Sequence, residues 1–223
     1  MNVLGMDTST AATSACVLRA DGAAFEVDPA PARLQEPPGH SRELMPAVAA
    51  ALERAGLDWP DLDAVAVGVG PGGFTGLRIG VATARSLARA ANKPLHPVSS
   101  LAALAAGIDA PLRLPLIDAK RGELFGALFD ERGAELVAPF AARPDEVGRR
   151  LGERARGALA AGDGSLRFRA ILEAGGVRVA PADSQLHVVR ALHVCRLAAG
   201  APPVAPEAVF PNYLRQPDAV PSQ

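Results

Sequence analysis

Gly70, Pro71, Gly72 and Gly73 separate a short apolar run from a long helical pattern in AVAVGVGPGGFTGLRIGVATARSLARAA, residues 64–91, and this junction is where the chain could grip an anion. A glycine loop that opens a helix offers unpaired N–H groups and the positive end of the helix dipole to a phosphate. Gly70, Gly72, Gly73 and Thr75 would form that cradle, with Thr75 also positioned to cap the helix. The loop lacks the lysine and hydroxyl of a P-loop and the glycine spacing of a dinucleotide fingerprint. A tight strand-to-helix turn whose glycines permit close packing accounts for the same residues.

Other chemistry is sparse. His40, His96, His187 and His193 are scattered, and Cys16 and Cys195 lie in apolar contexts with no metal-ligand spacing around them. The two cysteines read as buried reduced thiols. Ser9, Ser14, Ser41, Ser99 and Ser100 carry no recognisable nucleophile motif.

The elements that hold these residues can be read from periodicity and turn signals. Residues 2–7 form a short strand ending in DTST, 12–19 a second strand, and Asp21-Gly22 a hairpin turn into a third at 23–27. A proline-rich loop at 29–39 precedes a helix at 41–55, whose face is Leu44, Val48, Ala51, Leu52 and Ala55; Pro46 should bend its first turns or mark a later start. Residues 64–69 have no polar alternation and suit a strand covered on both faces. The helix after the glycine loop places Leu77, Val81, Ala84, Ala88 and Ala91 on one side and the small residues Gly76, Gly80 and Thr83 on another. With a strand at 94–98, the first hundred residues read βββαβα and a strand.

The second half begins with a hairpin, 112–119 and 123–129, joined through Lys120-Arg121-Gly122. Helical patterns follow at 144–151, 166–174 and 185–199, with a short apolar run at 158–162. The tail, from residue 202, is too rich in proline for regular structure, though it can pack through Phe210, Tyr213 and Leu214.

Met45 and Ala49 on the first helix, and Gly76, Ile79, Gly80 and Thr83 on the second, are surplus to one core face. Apolar surface of that kind marks an interface. Small residues let helix axes approach closely, so these six positions are the predicted partner and dimer surface, and Gly80→Arg is the substitution expected to block pairing in a folded monomer.

The chain has 223 residues, 49% hydrophobic and 21% charged, enough for a real core in one domain or two small ones. With 23 basic and 24 acidic residues the net charge is -1, which lacks the basic footprint of a protein that holds nucleic acid unaided, although a local patch fits inside a neutral total. No leader pattern and no apolar stretch of spanning length is present, so a cytoplasmic protein is expected.

Asp7-Thr8-Ser9, HSREL at 40–44, GPGGFTGLRIG at 70–80, DAKRGELF at 118–125 and PNYLR at 211–215 together resemble the bacterial TsaB (YeaZ) family, in order along nearly the whole chain. The resemblance implies an α/β architecture of the actin, Hsp70 and acetate kinase type. Two small subdomains are expected: residues 1–100, βββαβα first and carrying dimerisation, and a reduced unit at 101–223 with the proline-rich tail. It also implies a part in making threonylcarbamoyladenosine at position 37 of tRNA, as a non-catalytic subunit that binds and supports TsaD and helps to recruit the ATPase TsaE. A homodimer is expected when TsaD is missing, tRNA is expected to be met only through the complex, and no cofactor of its own is implied, a nucleotide at the TsaD interface being left open.

The catalytic relative TsaD holds its metal with histidines four apart on a helix; here Leu44 stands at that spacing from His40, and a leucine cannot share an ion with an imidazole. Asp7 is either a relic of a metal-coordinating aspartate or the cap of its own turn with Thr8 and Ser9. Asp118 carries the same ambiguity, and Lys120 with Arg121 is either a solvated turn or a basic pair that meets a phosphate. Two other readings remain: a small-molecule kinase or ATPase of the same superfamily, which needs a complete cleft, and a glycoprotease-like peptidase, which needs a nucleophile-base pair or a metal.

Overall fold

A computed structural model describes residues 1–215 of the chain. Its first sheet is built around β1 (Val3–Asp7), every residue of which is buried. β2 (Ser14–Leu18) and β3 (Ala24–Val27) add antiparallel on one side, and β4 (Ala64–Gly68) and β5 (Leu95–Val98) add parallel on the other, giving the order β3-β2-β1-β4-β5. The parallel strands need crossovers. α1 (His40–Ala55) joins β3 to β4, α2 (Phe74–Ala90) joins β4 to β5, and α3 (Ser100–Gly107) follows β5.

The second half repeats this plan with shorter helices. β6 (Leu112–Lys120) lies between β7 (Glu123–Asp130) and β9 (Ala158–Ala161), with β8 (Glu135–Ala142) and β10 (Arg178–Val179) at the edges, in the order β10-β9-β6-β7-β8. Again two neighbours are antiparallel and two parallel. α4 (Pro144–Leu151) replaces α1, two short helices α5 (Asp163–Arg167) and α6 (Arg169–Ala174) replace α2, and α7 (Ala191–Ala198) stands where α3 stood. The expected actin/Hsp70/acetate kinase-like α/β class is thus present as two equivalent sheets, the second with reduced helices.

Between the sheets lies one apolar layer. α3 and α7 fill it, and their Leu101, Leu104, Leu192 and Val194 meet Val3 and Ala66 from the first sheet and Ile117, Phe125 and Phe129 from the second. Cys195 packs against the first sheet, its thiol 3.5 Å from the carbonyls of Val3 and Cys16; both cysteines are free and buried. Arg190, just before α7, pairs with Glu26 and Asp28 at the end of β3.

Several sequence expectations change. α3 was unseen because SLAALAAG is apolar all round, the pattern of a helix buried on every side. β8 contains Pro139, which an edge strand tolerates. α1 begins at His40 and runs through Pro46, which is exposed, instead of starting after it. The helix expected at 185–199 divides into a 3-10 turn at Gln185–His187 and the shorter α7, and that expected at 166–174 divides at Phe168. In the tail Leu214 packs on the central layer and Val209 enters the first sheet's core, whereas Phe210 stays 66% exposed.

Candidate functional site

The two sheets present equivalent ends to a cleft of about 900 Å3. From the first sheet come the turn after β1, the start of α1 and the start of α2; from the second come the end of β6 and the start of α5. A smaller hollow of about 470 Å3 continues from it beneath the tail, lined by Tyr213 and Arg215.

Asp7 sits at the end of β1 and is sealed, 0% exposed. Its Oδ1 accepts the N–H and hydroxyl of Ser9, at 2.8 and 2.6 Å, and its Oδ2 accepts the Ser100 hydroxyl at 2.7 Å. Burial raises its pKa above the usual range although these three donors pull it down. Of the two readings for Asp7, the structure therefore favours the turn cap, which also ties α3 to β1.

The glycine loop spends part of its donor set internally. Gly73 N–H donates to the Ser9 carbonyl at 2.7 Å and Gly70 N–H to the Ser100 hydroxyl at 3.1 Å. Gly72 packs so tightly on Ser9 that a Cβ there would lie 2.3 Å from the Ser9 carbonyl oxygen. Thr75 does not cap α2: Gly73 holds the N-cap position and Thr75 lies inside the first turn, exposed to the cleft. Close packing thus accounts for Gly72, while the first turn of α2, Phe74 to Gly76, lines the cleft. Thr10, also on its wall, is 6% exposed with a hydroxyl that has no partner among the described residues.

Gly76 and Gly80, expected on a partner surface, are buried inside the chain. A Cβ on Gly76 would lie 2.1 Å from the Thr8 carbonyl oxygen and one on Gly80 would lie 2.2 Å from Thr8 Oγ1, while Thr8 Oγ1 itself donates to the Gly76 carbonyl at 2.8 Å. The small side of α2 is thus occupied by the β1–β2 turn. Gly80→Arg would break the monomer before it tested any interface. Met45, 45% exposed, and Ala49 do face solvent on α1, with Ile79 and Thr83 half-buried on α2.

Across the cleft, Asp118 Oδ2 accepts Lys120 Nζ at 3.0 Å and Arg167 Nη1 at 2.7 Å. Burial alone would raise its pKa, but the Lys120 bonds and then the Arg167 guanidinium hold the carboxyl below the usual range. Asp163 Oδ1 accepts the Asp118 N–H at 3.0 Å, and burial with the neighbouring Asp118 charge pushes Asp163 up to about 6. Lys120 and Arg121 take positive φ in the left-handed turn into β7, and Lys120 is ion-paired to Asp118 while its side chain stays exposed.

His40 is buried, its Nδ1 2.8 Å from Thr13 Oγ1, and burial lowers its pKa. Ser165 Oγ lies 3.3 Å from His187 Nδ1, a pairing invisible in the sequence, but both residues are 0% exposed and the hydroxyl donates to the Gly162 carbonyl at 2.7 Å. Sealed in this way, it offers no route to a peptide substrate. Among the described residues no group of three His, Cys, Asp or Glu is arranged to hold a metal ion, and no helix is long and apolar enough to cross a membrane.

Comparison with known proteins brings these features together. The profile of the family described as TsaD, tRNA N6-adenosine threonylcarbamoyltransferase, matches residues 37–179. The tRNA threonylcarbamoyladenosine biosynthesis protein TsaB of Escherichia coli is 37% identical over 142 residues, 60% of this chain and 58% of its own; that of Bacillus subtilis is 35% identical over 144, 62% and 60%. The chain spans less than two thirds of the length of these curated relatives. The solved structure of YeaZ from Pseudomonas aeruginosa superposes with a TM-score of 0.79 at 28% identity, covering 96% of this chain and 99% of that one.

Proposed function

The chain belongs to the tRNA N6-adenosine threonylcarbamoyltransferase family, within its TsaB/YeaZ branch, and from that premise we propose that it serves threonylcarbamoyladenosine synthesis on tRNA as a supporting subunit. In this reading it pairs with TsaD, helps to recruit TsaE, forms a homodimer when TsaD is absent, and meets tRNA through the assembly in the cytoplasm. The observation that carries it is the outer face of α1, where Met45 is 45% exposed beside the exposed Ala49, next to half-buried Ile79 and Thr83 on α2. Apolar surface at this junction is what a second, similarly built chain can cover about a two-fold or pseudo-two-fold axis. The unit at 1–100 would then carry the pairing and that at 101–223 the closing half of the cleft.

The cleft supports a non-catalytic role. Asp7 is locked into its turn and Asp118 is occupied by Lys120 and Arg167, so neither carboxylate is disposed to activate a hydroxyl. The chain alone is expected not to hydrolyse ATP. A nucleotide phosphate held by the Gly72–Thr75 turn would belong to the assembled complex.

Size-exclusion chromatography with light scattering, with and without TsaD, is the test. The wild type should give a homodimer alone and a heterodimer with TsaD. Ala49→Arg projects from an exposed position and should leave circular dichroism unchanged while abolishing both. A folded Ala49→Arg protein that still dimerises and still binds TsaD with unchanged affinity would sink the assignment.

A further inference from the structure

A cationic, aromatic strip runs along a different side of α2. Arg78, Arg85 and Arg89 all lie on this helix, which contains no acidic residue, and none of the three makes an ion pair among the described residues. Glu207, on the 3-10 turn that packs on α2, is not paired with them either. Aromatic rings are interleaved with the charges. Arg78 lies over the Phe74 ring at 3.9 Å and donates from Nε to the Tyr213 hydroxyl at 3.2 Å; the Phe74 and Tyr213 rings meet with centroids 5.1 Å apart, tilted by 30°; Arg85 lies over Phe210 at 5.3 Å. Phe210 is 66% and Phe74 37% exposed.

This grouping uses two of the chain's seven phenylalanines and its single tyrosine, in a protein whose net charge is only -1. At 100° per residue Ile79 and Thr83 lie ~100° or more around the helix from Arg78 and Arg85, so the strip and the pairing face are separate. Guanidinium planes set on exposed rings, with several unneutralised charges in a row, recognise a phosphate backbone carrying unstacked bases. An acidic protein surface would meet the charges but leave the exposed rings without base faces to stack on.

We propose that the strip Phe74–Arg78–Arg85–Arg89, with Tyr213 and Phe210, is an RNA-docking surface for a single-stranded or loop segment. The proposal rests on the tRNA-modification reading, and it adds that this subunit touches the RNA itself. Phosphates lie against Arg78, Arg85 and Arg89, and a base stacks on Phe210.

The test uses the full chain, alone and in complex with TsaD, with poly(U) and unfractionated tRNA as probes and fluorescence anisotropy at about 50 mM salt, where weak electrostatic binding is visible. Arg78→Glu/Arg85→Glu/Arg89→Glu should weaken binding at least tenfold and flatten the dependence of log affinity on log salt by roughly two in slope, three contacts at about 0.7 each on a single strand. Phe210→Ala should weaken it about five- to tenfold with the salt slope unchanged. Both variants should keep the wild-type circular dichroism and still pair with TsaD. RNA binding unchanged in the triple variant overturns the proposal. So does loss of TsaD pairing in the same variant, because the strip is then a protein contact. Failure of Ala49→Arg to disrupt pairing would overturn the subunit reading while leaving these RNA outcomes legible.

Discussion

Gly80 has no room for a side chain, because the Thr8 hydroxyl occupies the space a Cβ would need at 2.2 Å. Gly80→Ala should therefore cost about 1–3 kcal/mol of stability in urea unfolding, the usual penalty for overpacking a filled site. Removing the obstructing hydroxyl with Thr8→Ala should return part of that loss; a Gly80→Ala protein as stable as wild type would contradict the packing. Asp163 offers a titration at the same scale. Its folded pKa is raised to about 6 from an ordinary 3.8 by burial and then by the Asp118 charge. The folded state holds the proton more tightly, so the stability from this group is complete below pH 3.8 and lost as pH rises through about 6. Asp163→Asn keeps an acceptor for the Asp118 N–H and should remove that decline, read as unfolding midpoints of the two proteins between pH 4 and pH 7. Parallel curves would count against it.

α1 runs unbroken from His40 to Ala55 although Pro46 lies inside it. Proline removes one i to i−4 hydrogen bond and crowds the carbonyl four residues back. Pro46→Ala should thus stabilise the isolated chain by about 1–2 kcal/mol, somewhat less than the full propensity difference because the unfolded chain gains freedom. The denaturant midpoint measures it, and an unchanged or lower midpoint would mean the helix is already adapted to the ring. On α2 one helix divides its perimeter three ways: Leu77, Val81, Ala84 and Ala88 into the core with Ile79 and Leu87 at its margin, Gly76 and Gly80 against the Thr8 turn, and exposed positions such as Arg78, Ala82 and Arg89 to solvent. That division explains why a single stripe of small residues could be mistaken for an interface.

As a whole, the molecule is two copies of one plan joined through α3 and α7, so its response to acid should register in that shared layer. His193 on α7 lies against α3, where a Cβ on Gly107 would be 3.1 Å from its Nε2, and that nitrogen has no partner among the described residues. Burial, and then the nearby arginine charges, lower its pKa to about 4 from 6.5. Its contribution to stability is present above pH 6.5 and lost as pH falls through about 4. His193→Leu should flatten the acid limb of the stability curve between those values, measured by thermal unfolding, and an acid limb identical to wild type would place the titration elsewhere.

The βββαβα opening, the glycine turn, the second hairpin and the helix at 144–151 were legible because each carries a local signal: alternation, a turn dipeptide or a helical stripe. The motifs spaced along the chain also carry the family resemblance in the sequence itself. The pieces that complete each repeat were not legible, since α3 in the first is apolar on all sides, and in the second β8 carries a proline and β10 has two residues. Nor were the fates of individual side chains. A glycine that faces Thr8 and one that faces a partner look the same in one dimension, and nothing local shows that Ser100, 93 residues away, donates to the second oxygen of the Asp7 cap. The cation–aromatic strip needs Arg78 and Tyr213, 135 residues apart, to meet. Local backbone preference acts over a few neighbours and can be read in order; close contact between distant segments is decided by how the sheets and helices stack, and only the tertiary structure holds that information.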